Sequence, residues 1–178
     1  MPIPKIEVKK VKFHKGHDGY GMNCDLYVDG KKVCEVHDDA WGGGFQYNSA
    51  GKTHEERKAN REIVDALEKY AKTQTCISEF DNKPMTKNLD IIIDEIIKED
   101  NDKKEAKKLE KKFVTHFILY NEKTGAQRQS SFGKPARLLS TIPVANLQKA
   151  YDDLVPQLMK NEKIINTNLE ALGIVLKK

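Results

Sequence analysis

Four side chains in the first forty residues are of types that bind zinc. They form two pairs, His14 with His17 and Cys34 with His37, and two residues separate the members of each pair. Zinc accepts imidazole and thiolate ligands, and structural sites use such spacings. In an extended strand, however, residues 34 and 37 point to opposite faces. We therefore predict a buried cysteine beside ordinary polar histidines, with no bound metal and no other cofactor.

The chain contains three cysteines, Cys24, Cys34 and Cys76. An odd number in a chain of 178 residues argues against the disulfide framework of small secreted proteins and favours a reducing compartment. The hairpin register predicted below places Cys24 directly opposite Cys34. In a reducing cell, such a pair is expected to act as two small hydrophobic side chains rather than as a redox switch.

The tripeptide Gly51-Lys52-Thr53 invites comparison with the phosphate-binding loops of nucleotide hydrolases. Those loops need a further glycine five residues before the first glycine of the tripeptide, but position 46 is glutamine. Thr53 and Glu56 instead fit a capping box at a helix start. The sequence shows no nucleophile elbow and no paired carboxylates in a cleft context, so it assigns no catalytic residue. An enzyme is the least favoured class.

One loop is the best candidate for a contact surface. It contains the only tryptophan, three consecutive glycines and two further aromatic residues. Glycines let a backbone approach a ligand closely, and aromatic rings supply contact area with little loss of entropy. The competing interpretation is a lid whose rings fold back on the core. The candidate binding residues of this loop are Asp38, Asp39, Trp41, Phe45 and Tyr47.

Basic residues form a second candidate surface, for the phosphates of a nucleic acid. Arg128, Lys134 and Arg137 lie near the second predicted hairpin, and three lysines lie within residues 9–12. The net charge is only +4, however, with 27 acidic residues against 31 basic ones, most of them lysine. Lysine reads bases less well than arginine. Nucleic acid is therefore the alternative partner, behind a protein or a small ligand.

The first 48 residues are typical of strands separated by glycine clusters. The apolar residues of the first strand change phase near Lys9-Lys10, which predicts a bulge. A hairpin then turns at Asp29-Gly30. A three-residue turn with Gly30 in the left-handed conformation would pair Tyr27 with Lys31. That register places five apolar side chains on one face of the hairpin: Met22, Cys24, Leu26, Cys34 and Val36.

Three helices follow from apolar residues at helical spacing. The first starts after the capping box and should end near Lys72; its predicted buried stripe is Ala59, Ile63, Ala66, Leu67 and Tyr70. The second begins near Leu89 and continues as a solvated extension over residues 98–112; its predicted apolar stripe is Leu89, Ile92, Ile93, Ile96 and Ile97. The third begins at Thr141 or Pro143, and Pro156 should kink or split it.

The remaining segments complete an α+β fold. Residues 113–120 predict a buried strand, residues 126–132 its hairpin partner, and residues 163–166 a last short strand. We predict an antiparallel sheet, made from the N-terminal meander and this second hairpin, that packs against about three helices. The chain is expected to form one domain, residues 1–178. The alternative is two lobes, 1–97 and 113–178, joined by the polar helical segment 98–112.

Apolar runs are short, and none approaches the roughly 20 residues of a membrane-spanning helix. The N-terminal residues also lack the charged and then apolar layout of a secretory signal. We therefore expect no membrane association and a cytoplasmic location.

Residues 16–33 run from Gly16-His17 through Tyr20-Gly21-Met22-Asn23 to Asp29-Gly30-Lys31-Lys32-Val33, and Gly42-Gly43-Gly44 follows them. Together these segments resemble the amino-terminal part of small uncharacterised proteins of bacteriophages and prophages. The resemblance covers about a quarter of the chain. It implies an accessory role in the host cytoplasm during infection, and it carries over no active-site residues. The expected function is binding to, or inhibition of, a host protein or small ligand, without catalysis.

Overall fold

The secondary structure falls into two groups along the chain. The computed structural model describes residues 4–17, 19–78 and 81–176. Contacts divide the chain into two compact units, residues 1–101 and 102–178. The division lies within the polar segment 98–112, which we named as the connector of two lobes. This division does not decide between the predicted single domain and the two predicted lobes.

The first unit is built on a four-stranded antiparallel sheet with strand order β1-β2-β3-β4. The strands are β1 (Ile6–Lys15), β2 (Tyr20–Val28), β3 (Lys31–Asp38) and β4 (Gln46–Ser49). Each strand pairs with the strand that precedes it in sequence, so the sheet is a simple meander. One face is apolar and the other carries charged and amide side chains. The strand alternation predicted from the sequence is thus present.

The β2–β3 hairpin has the predicted apolar face but not the predicted register. Asp29 and Gly30 both have positive φ, 48° and 81°, and Val28 pairs with Lys31, so the turn has two residues. A turn of this kind requires positive φ at both positions. Val33 is left without a partner on β2, and this bulge restores the phase. The prediction that Cys24 faces Cys34 is therefore wrong, because the extra residue lies in β3 rather than in the turn.

After the bulge, Leu26 pairs with Cys34 and Cys24 pairs with Val36. All five apolar side chains assigned to one face belong to the buried core of the first unit. That part of the prediction is confirmed. The bulge predicted near Lys9-Lys10 is also present, since the β1–β2 register shifts between Lys9 and Lys12 and Lys10 has a φ of 56°.

Helix α1 (His54–Ala71) covers the apolar face of the sheet. Its N-terminus is the predicted capping box: the Glu56 N–H donates to Oγ1 of Thr53 at 3.2 Å, and the Glu56 carboxylate accepts from the Thr53 N–H at 3.3 Å. The predicted stripe, however, is rotated. Ala59 and Ala66 are exposed. The residues that α1 buries are Asn60, Val64, Leu67 and Ala71.

The buried face of α1 includes one polar side chain. Asn60 is 2% exposed and its side-chain amide donates to the carbonyl oxygen of Ala50 at 2.7 Å. This bond gives the buried amide a partner at a position where a hydrophobicity pattern would not place an asparagine. A short hairpin follows, formed by β5 (Thr75–Ile77) and β6 (Pro84–Thr86).

Helix α2 (Leu89–Phe113) packs against the core of the first unit with its first turns, and its later turns are rich in charged residues. Leu89, Ile93 and Ile97 are buried in that core, as the helical spacing predicts. Residues 98–108 are exposed throughout, which confirms the predicted solvated extension.

The second unit contains a three-stranded antiparallel sheet with order β8-β7-β9. Its elements are β7 (His116–Asn121), β8 (Gln127–Ser131), helix α3 (Val144–Leu154), β9 (Glu162–Ile164) and short 3-10 turns at Leu139–Thr141, Val155–Gln157 and Glu170–Leu172. Phe117, Leu139 and Leu147 lie at its core. Pro156 ends α3 in a 3-10 turn, as predicted.

The α+β class is confirmed. The meander and the second hairpin, however, belong to separate sheets rather than to one sheet, because the hairpin strand β7 pairs on its other edge with β9. Among the residues described, no helix has the length and apolar character needed to cross a membrane.

Candidate functional site

The loop between β3 and β4 presents the only tryptophan to solvent. The Trp41 side chain is 67% exposed. Its indole stacks on the His17 imidazole, with ring centroids 5.0 Å apart and planes 20° from parallel. Trp41 therefore does not fit the interpretation of this loop as a lid whose rings all fold back on the core.

The two aspartates of the loop hold its backbone. Oδ1 of Asp38 accepts the N–H of Ala40 at 2.9 Å, and Oδ1 of Asp39 accepts the N–H of Trp41 at 3.0 Å. Ala40 is buried and takes a left-handed φ of 56°, which alanine adopts only when its surroundings enforce it. Asp38 and Asp39, which we named as contact residues, therefore also position Trp41.

Two glycines let β1 and β2 approach this loop. A β-carbon on Gly21 would lie 2.2 Å from the carbonyl oxygen of Asp38, and one on Gly16 would lie 2.4 Å from Cβ of Ala40. Neither distance is compatible with a side chain. The close approach brings the segment that carries His17 next to the loop that carries Trp41.

Phe45 and Tyr47 behave as the lid interpretation expects. Both are half-buried and pack against the core of the first unit. The Tyr47 hydroxyl donates to Oδ1 of Asp90 at 2.5 Å, and the Phe45 N–H donates to Oδ2 of the same carboxylate at 3.2 Å. Burial, together with the charge of Asp90, raises the pKa of Tyr47. These two residues anchor the loop to α2, and Trp41 alone among the three named rings is exposed.

Two exposed aromatic residues near the loop were missed by the sequence reasoning. Phe13 is 59% exposed and Tyr20 is 77% exposed. Phe13 pairs with Met22, and Tyr20 pairs with Lys15, so both rings share one face of the β1–β2 ribbon. Period-two spacing predicts the shared face. It does not reveal that this end of the ribbon extends beyond the core.

The basic residues that we named for phosphate contact differ in whether they form ion pairs. Arg128 is engaged by Glu162 through two bonds, Nε to Oε1 at 2.8 Å and a terminal guanidinium nitrogen to Oε2 at 2.6 Å. Lys134 and Arg137 are exposed in the turn after β8. On β1, Lys9 pairs with Glu7 at 3.3 Å and Lys10 with Asp25 at 3.0 Å.

The Arg128–Glu162 pair predicts an acid-sensitive second unit. Arg128, together with the Met159 N–H, lowers the pKa of Glu162 to about 2, below its unfolded value. The stabilisation is therefore fully present above about pH 4.5 and is lost as the pH falls toward 2. We expect Glu162→Gln to lower the melting temperature at neutral pH and to flatten its pH dependence between those values. Glu122→Gln, which alters a more exposed pair with Lys163, serves as the control; identical pH profiles of Glu162→Gln and wild type would contradict the prediction.

The four zinc-type residues are not brought together as a ligand set. Cys34 is fully buried in the apolar core, and burial raises the pKa of its thiol to about 12. His14 and His37 instead stack on one another, with centroids 5.7 Å apart. No group of three or more potential metal ligands occurs among residues 4–17, 19–78 and 81–176.

Comparison with known proteins identifies no relative. No protein-family model, no curated protein and no solved structure matches the chain.

Proposed function

We propose that this chain is a non-catalytic binding protein that contacts a partner protein through Trp41 and the exposed rings beside it. The observation that carries the proposal is an indole, 67% exposed, on a loop that is otherwise tied down. Large exposed aromatic side chains are the residues that most often dominate the energy of protein interfaces. Tyr20 and Phe13 are also exposed, at the end of the sheet where Met22 pairs with Asp38.

The loop is organised before any partner arrives. Its backbone is held by two aspartate carboxylates, by the close packing of Gly16 and Gly21, and by the bond from the Phe45 N–H to Asp90. The Tyr47 hydroxyl, just after the loop, donates to the same carboxylate. A contact loop that is already ordered loses little conformational entropy on binding. A preformed loop that exposes the Trp41 indole is therefore better suited to binding a partner than to catalysing a reaction.

A protein partner is favoured over a nucleic acid because several candidate cations are already engaged. Lys9, Lys10 and Arg128 each pair with a carboxylate, which reduces the charge available for phosphates. The resemblance of residues 16–33 to phage and prophage proteins supports an accessory role, and a host protein is the partner that this role implies.

We expect Trp41→Ala to weaken partner binding about 30-fold, corresponding to the roughly 2 kcal/mol typical of an interface tryptophan. The melting temperature should change little, because the indole is exposed. The measurement is quantitative capture from expressing cells, followed by titration of the purified partner with wild type and variant.

Met159→Ala is the matched control, since it removes a side chain of similar exposure, 61%, from the second unit. Equal loss of binding in both variants would contradict the proposal. So would retarded migration of a single-stranded oligonucleotide at low salt that Trp41→Ala abolishes, because that result would assign the exposed ring to base stacking.

A further inference from the structure

The free edge of the first sheet carries backbone groups that are ready to pair. The Ala50 N–H donates to the Val33 carbonyl at 2.9 Å, which places residues 46, 48 and 50 in hydrogen-bonded register with β3. In an antiparallel pair, the intervening residues point their N–H and C=O groups the other way. Tyr47 and Ser49 therefore direct two donors and two acceptors outward from β4, which is the edge strand of the described sheet.

The opposite edge is protected in a way that β4 is not. Strand β1 carries a bulge with positive φ at Lys10 and lysines at three of positions 9–12, features that block edge-to-edge pairing. Strand β4 reads Gln-Tyr-Asn-Ser: it has no charge, no proline, no bulge and no positive φ. Strand β4 is short, with four residues, but it carries none of the features that block pairing along β1.

An open cleft of about 740 Å³ runs between this edge and α1, and its charges are separated along the helix. The first part of α1 contributes the cations Arg57, Lys58 and Arg61. The next turn contributes the carboxylates of Glu62 and Asp65. None of these five side chains forms an ion pair with another residue in the described part of the chain.

We propose that a second copy of this chain occupies the cleft, so that β4 pairs antiparallel with its own copy across a twofold axis. A twofold contact requires a surface that is complementary to itself. The separated charges satisfy this requirement, because an antiparallel arrangement sets the cationic part of one α1 toward the anionic part of the other. An acidic peptide or a polyanion would meet only the cations, and would leave Glu62 and Asp65 unmatched.

The outward backbone groups define the register. Tyr47 of one copy and Ser49 of the other exchange two hydrogen bonds, and the symmetric pair exchanges two more, with Asn48 at the axis. The two sheets join into one sheet of eight strands. The dimer is held by four backbone hydrogen bonds and by symmetric charge pairs. It should form at high protein concentration, and salt should weaken it.

The test is the mass of the full chain by light scattering across a concentration series. We expect a concentration-dependent rise from 20.3 kDa toward twice that mass. The double variants Arg57→Glu/Arg61→Glu and Glu62→Lys/Asp65→Lys should each weaken self-association by about tenfold or more, since every substitution acts twice in a symmetric dimer. An equimolar mixture of the two should associate again as a mixed dimer.

Two further variants distinguish pairing along β4 from self-association through a different surface. Ser49→Pro removes one outward N–H and leaves the bonds to β3, so it should weaken the dimer while the melting temperature of the monomer is kept. Lys69→Glu changes a charge on α1 outside the cleft and should dimerise as wild type does. A chain that stays monomeric at all concentrations would overturn the proposal, as would a dimer that neither the charge reversals nor Ser49→Pro weakens.

Discussion

Replacing Gly21 by alanine should destabilise the first unit by about 3 kcal/mol, at the upper end of the usual range for overpacking. The added methyl group would meet the Asp38 carbonyl oxygen at 2.2 Å and the Ala40 nitrogen at 3.1 Å. Both are backbone atoms, so no side-chain rotation relieves the clash. The loop must instead move away from β2. We expect partner binding through Trp41 to fall as well, since the loop loses its supporting surface.

The measurement is thermal or denaturant unfolding, together with the fluorescence of Trp41, which as the only tryptophan reports on this loop alone. Gly43→Ala is the control from the same loop. A β-carbon there has no atom within 4 Å, and the backbone of Gly43 is not left-handed. We expect the control to change the unfolding free energy by less than about 0.5 kcal/mol. If the two variants unfold alike, the close packing of Gly21 does not support the loop.

Removing the carboxylate of Asp90 is the second substitution with a large expected effect. Asp90→Ala leaves the half-buried Tyr47 hydroxyl and the Phe45 N–H without their acceptor. Hydrogen bonds to a charged group contribute roughly 1.5–3 kcal/mol each, and partial exposure lowers the sum, so we expect a loss of about 3 kcal/mol. The loop should also lose its attachment to α2, and binding through Trp41 should weaken.

A double-variant cycle isolates the role of Asp90. Tyr47→Phe combined with Asp90→Ala should be little less stable than Asp90→Ala alone, because the hydroxyl that would lack an acceptor is gone. Asp102→Ala, in the exposed part of α2, is the control for loss of an acidic side chain. Partial burial and the charges of Asp90 and Asp38 raise the pKa of Asp94, so the Asp94 pKa should fall in the Asp90 variant. Additive effects of the Tyr47 and Asp90 substitutions would contradict the assigned bond.

Several features follow from the sequence alone because their causes lie within a few residues. The Thr53–Glu56 capping box, the bulge near Lys10 and the stripe of α2 each depend on residue types at short, regular spacing. The apolar face of the β2–β3 hairpin is also of this kind, since period-two alternation assigns its members. These local patterns were sufficient to predict the α+β class.

The details that decide the candidate site depend on residues far apart in the chain. The Phe45 N–H and the Tyr47 hydroxyl both donate to Asp90, more than forty residues later, and the exposed Trp41 stacks on His17. Arg128 forms its ion pair with Glu162, 34 residues away. Nothing near these residues in sequence indicates the pairing.

The sequence by itself determined where most strands and helices form, and which sides of the β2–β3 hairpin and of α2 are apolar, because propensity, capping and periodicity act between neighbours. Only the tertiary structure decided the hairpin register, the inward direction of Asn60, the open edge of β4 and the single exposed indole. Those outcomes depend on hydrogen bonds and packing between distant segments. Their free energies depend on the arrangement of the whole chain rather than on the conformational preferences of any one segment.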